Sequence, residues 1–298
     1  MGFLKKFRRA IRFRALLFAV RALSFLPIDP ACALGAAVGI TSYYIAGRER
    51  RMALENLARA FPQMPDAQRR RVARRCFTNL GRSATEIVIA RRLDSQLRER
   101  VNLPEASRAT LEAAVAERRG VIFVTAHLGN WELLARRIAL DFDTRTVARE
   151  AADARITALL ERTRQAGGVR TLWRGRPGVA REILRTLREG ALLGLLVDQD
   201  IPKVHGVFVD FFGYPAWTPR AAADLAHHGP IPAVFGTIHR LGNGRHEIRV
   251  ERLQLGLDAL ETTQRFTAAI ESEVRRRPEE WVWMHSRWRT KSIVKSNT

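Results

Sequence analysis

His127 and Glu132 lie on either side of a predicted junction between a strand and a helix. Residues 121–125 form an apolar, β-branched run that predicts a buried strand, and Asn130 can cap the helix that follows. An imidazole can take a proton from a hydroxyl near neutral pH, and a neighbouring carboxylate fixes its tautomer and stabilises the imidazolium. On one continuous helix these two side chains would point about 140° apart, but across a turn they can converge. The spacing therefore predicts general-base chemistry, with Glu132 as the partner of His127.

The same spacing also fits a structural alternative, in which His127 is a strand-end residue and Glu132 matches the dipole of the helix start. No Ser or Cys forms a nucleophile elbow nearby, so covalent catalysis is not indicated. The HExxH zinc pattern is absent, the His residues are scattered, and Cys32 and Cys76 form no CxxC pair. We therefore expect neither a metal nor another cofactor.

An alternation of strands and helices must position these residues. Strands are predicted at residues 121–125, 144–148, 191–197, 231–238 and 246–250, and helices at residues 105–118, 130–140, 151–166, 177–189, 218–228 and 258–277. Strands separated by helices need crossover connections, which predicts an α/β fold with a mixed, largely parallel sheet flanked by helices. Such sheets bind ligands beyond the carboxyl ends of their strands, where His127 lies and where Gly129 leaves room for a substrate.

The amino terminus has the pattern of a membrane anchor. Residues 1–14 carry six cations and no acid, residues 15–26 are apolar apart from Arg21 and Ser24, and residues 31–46 form a second apolar stretch with no charge. Neither stretch reaches the ~20 apolar residues of a transmembrane helix without a charge or a Pro. We expect residues 1–46 to form a tilted span or an interfacial helical hairpin, with the basic flank on the cytoplasmic face of the inner membrane. A pair of buried core helices is the alternative.

This organisation leaves residues 47–298 as the second domain, with a helical part at 47–100 and the α/β part at 101–298. The chain carries 51 Lys and Arg against 30 Asp and Glu, a formal charge of +21. Such a charge suits an anionic membrane, an acidic protein partner or a nucleic acid. A basic nucleic-acid-binding protein is therefore a non-enzymatic alternative. It is disfavoured because no zinc finger, aromatic RNA-binding signature or basic recognition helix is visible.

Three tryptophans and three cations lie within residues 281–291, near the carboxyl terminus, and a fourth tryptophan lies in the middle of the chain. Two interpretations are open for them, a belt at a membrane interface and ordinary core aromatics. The residues concerned are Trp173, Trp281, Trp283 and Trp288, with Arg287, Arg289 and Lys291.

The segment His127-Leu-Gly-Asn-Trp-Glu132 resembles the H-x4-D/E motif of the glycerolipid acyltransferases, in the form found in the bacterial lipid A lauroyl and myristoyl acyltransferases. Further stretches agree with that family in order and distance, and the resemblance covers nearly the whole chain. They are Arg149, Arg164, Asp198-Gln199-Asp200, residues 206–213 and Thr218. Two residues depart from the pattern, since Asp210 and Glu150 stand where the family usually has Pro.

The resemblance implies acyl transfer from acyl carrier protein, or from acyl-coenzyme A, to a hydroxyl of a lipid A-type glycolipid. His127 would be the base, Glu132 its partner, and Arg164 would face the thioester oxyanion or the phosphate of the phosphopantetheine arm. Substrate contacts would come from Gly129, Asn130, Arg149, Asp198 and Asp200. The nearest alternative acceptors are lysophospholipids, glycerol phosphate and mannolipids, whose enzymes commonly carry Asp at the position of Glu132.

Overall fold

A seven-stranded sheet forms the centre of the molecule in this computed structural model, which describes residues 13–14, 17–23 and 25–291. The strands are β1 (Val101–Asn102), β2 (Val121–Thr125), β3 (Thr144–Arg149), β4 (Val169–Arg174), β5 (Leu192–Leu196), β8 (Ala233–Arg240) and β9 (His246–Leu253), with a separate hairpin of β6 (Gly206–Phe211) and β7 (Tyr214–Pro219). The basic start of the chain, residues 1–12, lies outside the described residues.

The described part of the chain that follows Pro27 contains eleven α-helices. They are α1 (Ile28–Ile45), α2 (Gly47–Ala60), α3 (Asp66–Val88), α4 (Ala90–Leu93), α5 (Leu97–Arg100), α6 (Glu105–Ala116), α7 (Trp131–Ile138), α8 (Ala154–Ala166), α9 (Val179–Arg188), α10 (Ala221–His228) and α11 (Ala259–Arg276). Short 3₁₀ turns occupy Asp94–Gln96 and Pro278–Glu280.

The strand order is β1-β9-β8-β2-β5-β3-β4. All neighbours in the sheet run parallel except β8 and β9, which form an antiparallel hairpin. This confirms the predicted mixed, largely parallel sheet. Strand β2 lies between β8 and β5, so its carboxyl end, just before His127, opens at the middle of the sheet edge.

Both faces of the sheet are covered, as the apolar character of β2 requires. Successive side chains of a strand point to opposite faces. Ile122 and Val124 pack into a core with α3, α10 and α11, whereas Val121 and Phe123 pack into a second core with α6 and α7. Parallel strands buried on both sides read as continuous apolar runs, and this explains why β2 and β5 could be predicted.

Strand β4 and the β6–β7 hairpin were not among the predicted strands. Strand β4 lies at the edge of the sheet and interleaves Arg170 and Arg174 with buried residues, so its apolar pattern is broken. The hairpin contains Pro215 and Pro219, which weaken a strand prediction. These elements are stabilised by tertiary contacts rather than by a strong local pattern.

The amino-terminal helices pack closely on one another. A Cβ added to Gly35, Gly39 or Gly81 would lie within 2.6 Å of a backbone oxygen or of a threonine hydroxyl on the facing helix, so small residues allow the α1–α3 approach. Among the described residues no single helix has the length and apolar character to cross a bilayer, although α1 and α2, bent by 88° where they meet, satisfy that test as a pair.

The four tryptophans belong to the core. Trp281 and Trp283 have no exposed surface, and Trp173 and Trp288 are also buried. Arg287 is equally buried and donates to the carbonyl of Trp217 and to the hydroxyl of Thr218. The structure therefore favours the core alternative over a membrane-interface belt for these residues.

Candidate active site

A cavity of about 570 Å³ opens at the carboxyl ends of the strands and continues beneath α7. Its mouth includes His127, Glu132, Arg164, Arg149 and Asp200. Its deeper wall is mostly apolar and is lined by Phe123, Leu134, Ile138, Val169, Gly194 and Leu195. The predicted catalytic residues His127, Glu132 and Arg164 therefore line one cavity that also has an apolar wall.

His127 faces Asp198 across two neighbouring strands. The last residues of β2 and β5, Thr125 and Leu196, are register partners, and His127 and Asp198 each follow two residues later. The Nδ1 of His127 lies 2.8 Å from Asp198 Oδ1, and the backbone N–H of His127 donates to Asp198 Oδ2 at 3.0 Å. Because an ionised carboxylate only accepts, Nδ1 carries the proton when the ring is neutral, which leaves Nε2 free to act as a base.

The side chain of Asp198 is fully buried, and both of its oxygens accept hydrogen bonds. The indole N–H of Trp281 donates to Asp198 Oδ2 at 2.8 Å, on the side away from the cavity. Burial alone would raise the pKa of Asp198, but the charge and hydrogen bond of His127 and the hydrogen bond of Trp281 hold it well below its ordinary value. The carboxylate is therefore ionised at neutral pH and can stabilise an imidazolium.

The Nε2 of His127 is directed toward the cavity. Gln199 Nε2 lies 3.4 Å from it, and the ring of Trp131 packs edge-on at 4.8 Å between centroids. The side chain of His127 retains 22% of its exposure, although its partner Asp198 has none. An incoming hydroxyl can therefore reach the imidazole without a rearrangement of the fold.

Glu132 is paired with Arg164 rather than with His127. It lies in the first turn of α7, and Arg164 lies in the last turn of α8. Arg164 Nε and Nη2 donate to the two carboxylate oxygens, the former at 2.9 Å. Burial would lower the pKa of Arg164, but its hydrogen bonds with Glu132 raise it. In place of the expected Glu132–His127 contact, the structure has two separate pairs, His127–Asp198 and Glu132–Arg164.

Gly129 and Asn130, which were predicted to contact substrate, also have partners within the protein. Gly129 has φ +63°, and a Cβ there would lie 1.9 Å from the carbonyl oxygen of Ile238, so close backbone approach explains this glycine. The buried Asn130 accepts from Leu133 N as the cap of α7 and donates to Glu86. These residues shape the turn between His127 and Glu132.

Asp200 and Arg149 lie at the rim of the cavity. Asp200 accepts hydrogen bonds from the backbone N–H and the hydroxyl of Thr290, and thus holds the carboxyl-terminal segment beside the mouth. Arg149 ends β3 and is the register partner of Arg174, which ends β4. Within the described part of the chain, no three His, Cys, Asp or Glu side chains are grouped as a metal site would require.

Sequence reasoning assigned Asp198 to substrate and missed its contact with His127, and it missed Trp281 as a site residue. A usable signal existed for Asp198, since it follows an apolar strand at the same distance as His127 follows β2. No local signal existed for Trp281, whose approach depends on the path of the carboxyl-terminal segment.

Comparison with known proteins gives a family match over nearly the whole chain. Residues 1–290 match the family described as bacterial lipid A biosynthesis acyltransferase. The chain is 24% identical to the lipid A biosynthesis palmitoleoyltransferase of Escherichia coli (strain K12) over 277 residues, which are 91% of this chain and 89% of that protein. It is 26% identical to a lipid A biosynthesis acyltransferase of Haemophilus influenzae over 283 residues, 92% of this chain and 86% of that protein.

Proposed function

The chain belongs to the bacterial lipid A biosynthesis acyltransferase family, and from that premise we propose that it moves a fatty acyl chain from a thioester to a hydroxyl of a lipid A-type glycolipid precursor. The thioester donor is acyl carrier protein or acyl-coenzyme A. The observation that carries this proposal is the His127–Asp198 pair at the mouth of an apolar cavity. As a member of this family the chain is an acyltransferase, and the nucleic-acid-binding alternative is set aside.

The proposed reaction needs one base and one acid, and His127 supplies both. Its Nε2 takes the proton of the acceptor hydroxyl while that oxygen attacks the thioester carbonyl. The tetrahedral intermediate then collapses, the C–S bond breaks, and the imidazolium returns the proton to the departing thiolate. Asp198 holds the ring through Nδ1–H and stabilises its charged form between these steps.

Arg164 is proposed to act on the donor side of the cavity. Its guanidinium is fixed by Glu132 at one edge and lies over the ring of Trp173, 5.8 Å from the centroid. It lines the same cavity as His127 and offers a planar set of donors to an oxyanion. The acyl chain would then extend beneath α7 from Trp131 toward Ile138, along the apolar wall.

A pair of arginines at the mouth suits a phosphate of the acceptor. Arg149 and Arg174 are neighbours across parallel strands about 4.8 Å apart. Both line the cavity, and the described residues include no carboxylate paired with either of them. Two adjacent guanidiniums repel one another unless an anion lies between them.

Replacing both Arg149 and Arg174 with Gln should raise the apparent KM for a phosphorylated acceptor about 10²- to 10⁴-fold, because each of the two charge-assisted hydrogen bonds contributes about 1.5–3 kcal/mol. The KM for the donor should be unchanged. Arg170, exposed on the same strand, supplies the control variant Arg170→Gln. A raised donor KM with an unchanged acceptor KM would assign the pair to the phosphopantetheine phosphate instead.

We also propose that the amino-terminal region anchors the protein to the cytoplasmic face of the inner membrane. Seven large apolar side chains are exposed between residues 17 and 45. These seven are Leu17, Phe18, Phe25, Leu34, Val38, Tyr44 and Ile45. The exposed apolar side chains of the later described residues form no comparable group. A lipid surface would cover them, and the +21 charge would favour anionic headgroups.

The double variant Phe25→Glu and Val38→Glu should lower binding of the full chain to anionic phospholipid vesicles at least tenfold. Burial of one such side chain contributes about 1.5–3 kcal/mol, and a buried charge opposes insertion. Flotation of vesicles measures the bound fraction. Leu257→Glu is the matched control because Leu257 is 95% exposed but distant in the chain. Equal binding by the two proteins would contradict an anchor at this face.

The experiment that tests the proposed reaction uses the purified protein with both donor classes and several acceptors. Mass spectrometry should show a lipid A precursor gaining one acyl group, with one thiol released for each ester formed. Lysophospholipid and mannolipid acceptors are compared in parallel. Preferential acylation of either of them would contradict the proposed acceptor, and no acylation of any acceptor would contradict the proposed reaction.

A further inference from the structure

A segment near the carboxyl terminus lies directly against the catalytic turn. We call residues 279–283 the carboxyl-terminal strap. Leu128 and Trp281 form an antiparallel bridge, in which the backbone N–H of Val282 donates to the carbonyl of His127 at 3.1 Å. The N–H of Gly129 donates to the carbonyl of Glu280 at 2.9 Å. The strap therefore fixes the backbone on both sides of Leu128.

The strap is itself held by the amino-terminal helices. Asn56 of α2 donates to the carbonyls of Trp283 and His285, both at 2.8 Å. Cys76 and Asn79 of α3 donate to the carbonyls of Trp281 and Glu279. Since these contacts fix the backbone around Trp281, its indole has a defined direction and lies at the inner side of the site.

We propose that Trp281 is a positioning residue, whose indole N–H fixes the Asp198 carboxylate in the orientation that His127 requires. Asp198 Oδ2 accepts only N–H donors, one from the backbone of His127 and one from Trp281. Its other oxygen is then directed at His127 Nδ1. This inference rests on the proposed function and adds to it a residue that never touches the substrates.

The other basic side chains near Asp198 do not donate hydrogen bonds to its carboxylate. His285 packs edge-on against Trp281, 4.8 Å between centroids, and burial lowers the pKa of His285 to about 4, so it is neutral near pH 7. Burial lowers the pKa of Arg287 to about 10, so it keeps its charge, and its Nη1 and Nη2 donate to β7, whereas its buried Nε has no hydrogen-bond partner among the described residues. Among the described residues, only His127 and Trp281 donate hydrogen bonds to the carboxylate of Asp198.

The test compares Trp281→Phe with Trp283→Phe. Both tryptophans are fully buried, they contact each other at 4.6 Å between centroids, and each donates one indole hydrogen bond. The bond of Trp283 goes to the carbonyl of Pro278, so its loss leaves Asp198 untouched. Trp281→Phe should lower kcat about 10- to 100-fold with both KM values unchanged, because a charged acceptor loses one of its donors. Trp283→Phe should lower kcat less than about threefold.

Two further measurements separate positioning from simple packing. In the Asp198→Asn background, Trp281→Phe should add less than about a twofold loss, because residues that act through one group are not additive. Thermal unfolding of both single variants should shift by similar amounts. Equal losses of kcat in the two single variants, or a full additional loss in the double variant, would overturn the proposal.

Failure of this inference is distinguishable from failure of the proposed function. The wild-type protein and His127→Ala are run in the same assay. An active wild type with equal effects at positions 281 and 283 overturns only the role of Trp281. A wild type without acyl transfer overturns both. If Trp281→Phe does not fold, Asp198→Asn alone must reproduce the loss of kcat at unchanged KM, and unchanged kcat there would overturn the inference.

Discussion

Replacement of His127 by Ala is expected to lower kcat about 10²- to 10⁴-fold and to leave the folded protein intact. The loss follows because His127 is the one imidazole among the described residues that line the cavity, and general-base catalysis typically contributes this much. The side chain retains some exposure, so its removal leaves no large cavity in the core. Steady-state acyl transfer and thermal unfolding of the purified variant measure the two effects. His205→Ala, at a largely exposed position, is the control.

Double variants then identify the partner of His127. If the Asp198 contact is the functional one, Asp198→Asn should add little to the loss caused by His127→Ala, because the two residues act as a unit. Glu132→Gln should add a clear further loss, since Glu132 contacts Arg164 rather than His127. The reverse pattern would restore Glu132 as the partner and would show that the Asp198 contact is structural. Wild-type turnover in His127→Ala would remove the histidine from the mechanism.

The parts of the fold that could be predicted from the sequence are those whose own residues determine them. Strands β2 and β5 are apolar along their whole length because both faces are buried, and Asn130 caps α7 as its position before the helix indicates. Strand β4 could not be predicted in the same way. It is stabilised by pairing with β3 and lies at the edge, where Arg170 and Arg174 interrupt the apolar pattern.

The contacts inside the site depended on information that the local sequence lacks. The choice between Glu132 and Asp198 as the partner of His127 depends on strand order, because β5 lies beside β2 although two other strands separate them in the chain. Spacing along the chain favours Glu132, the nearer residue. The start of α7 carries Glu132 toward the end of α8 instead. Tertiary packing therefore places Asp198, and not the sequence-favoured Glu132, in contact with His127.

Arg164 could not be identified as a site residue from the local residue pattern alone. In the sequence it lies near Arg162 and Arg170, and only the family resemblance distinguished it from them. In the structure Arg164 alone of the three contacts Glu132, whereas Arg162 is exposed and donates to a backbone carbonyl of its own helix. This difference in surroundings allows the role of Arg164 to be tested against a matched neighbour.

Arg164→Ala is expected to lower kcat about 10²-fold, the effect of losing a fixed donor to an oxyanion, with little change in the KM of the donor substrate. Arg164→Lys should not restore activity, because an ammonium on a flexible stem cannot bridge both oxygens of Glu132 and still present donors in a plane. Arg162→Ala is the control, and steady-state kinetics with varied donor measure all three variants.

If the guanidinium instead binds the donor phosphate, the loss should appear as a raised donor KM that Lys partly corrects. Equal mild effects at positions 162 and 164 would show that the Glu132–Arg164 pair only joins α7 to α8, and that the oxyanion is stabilised by another group.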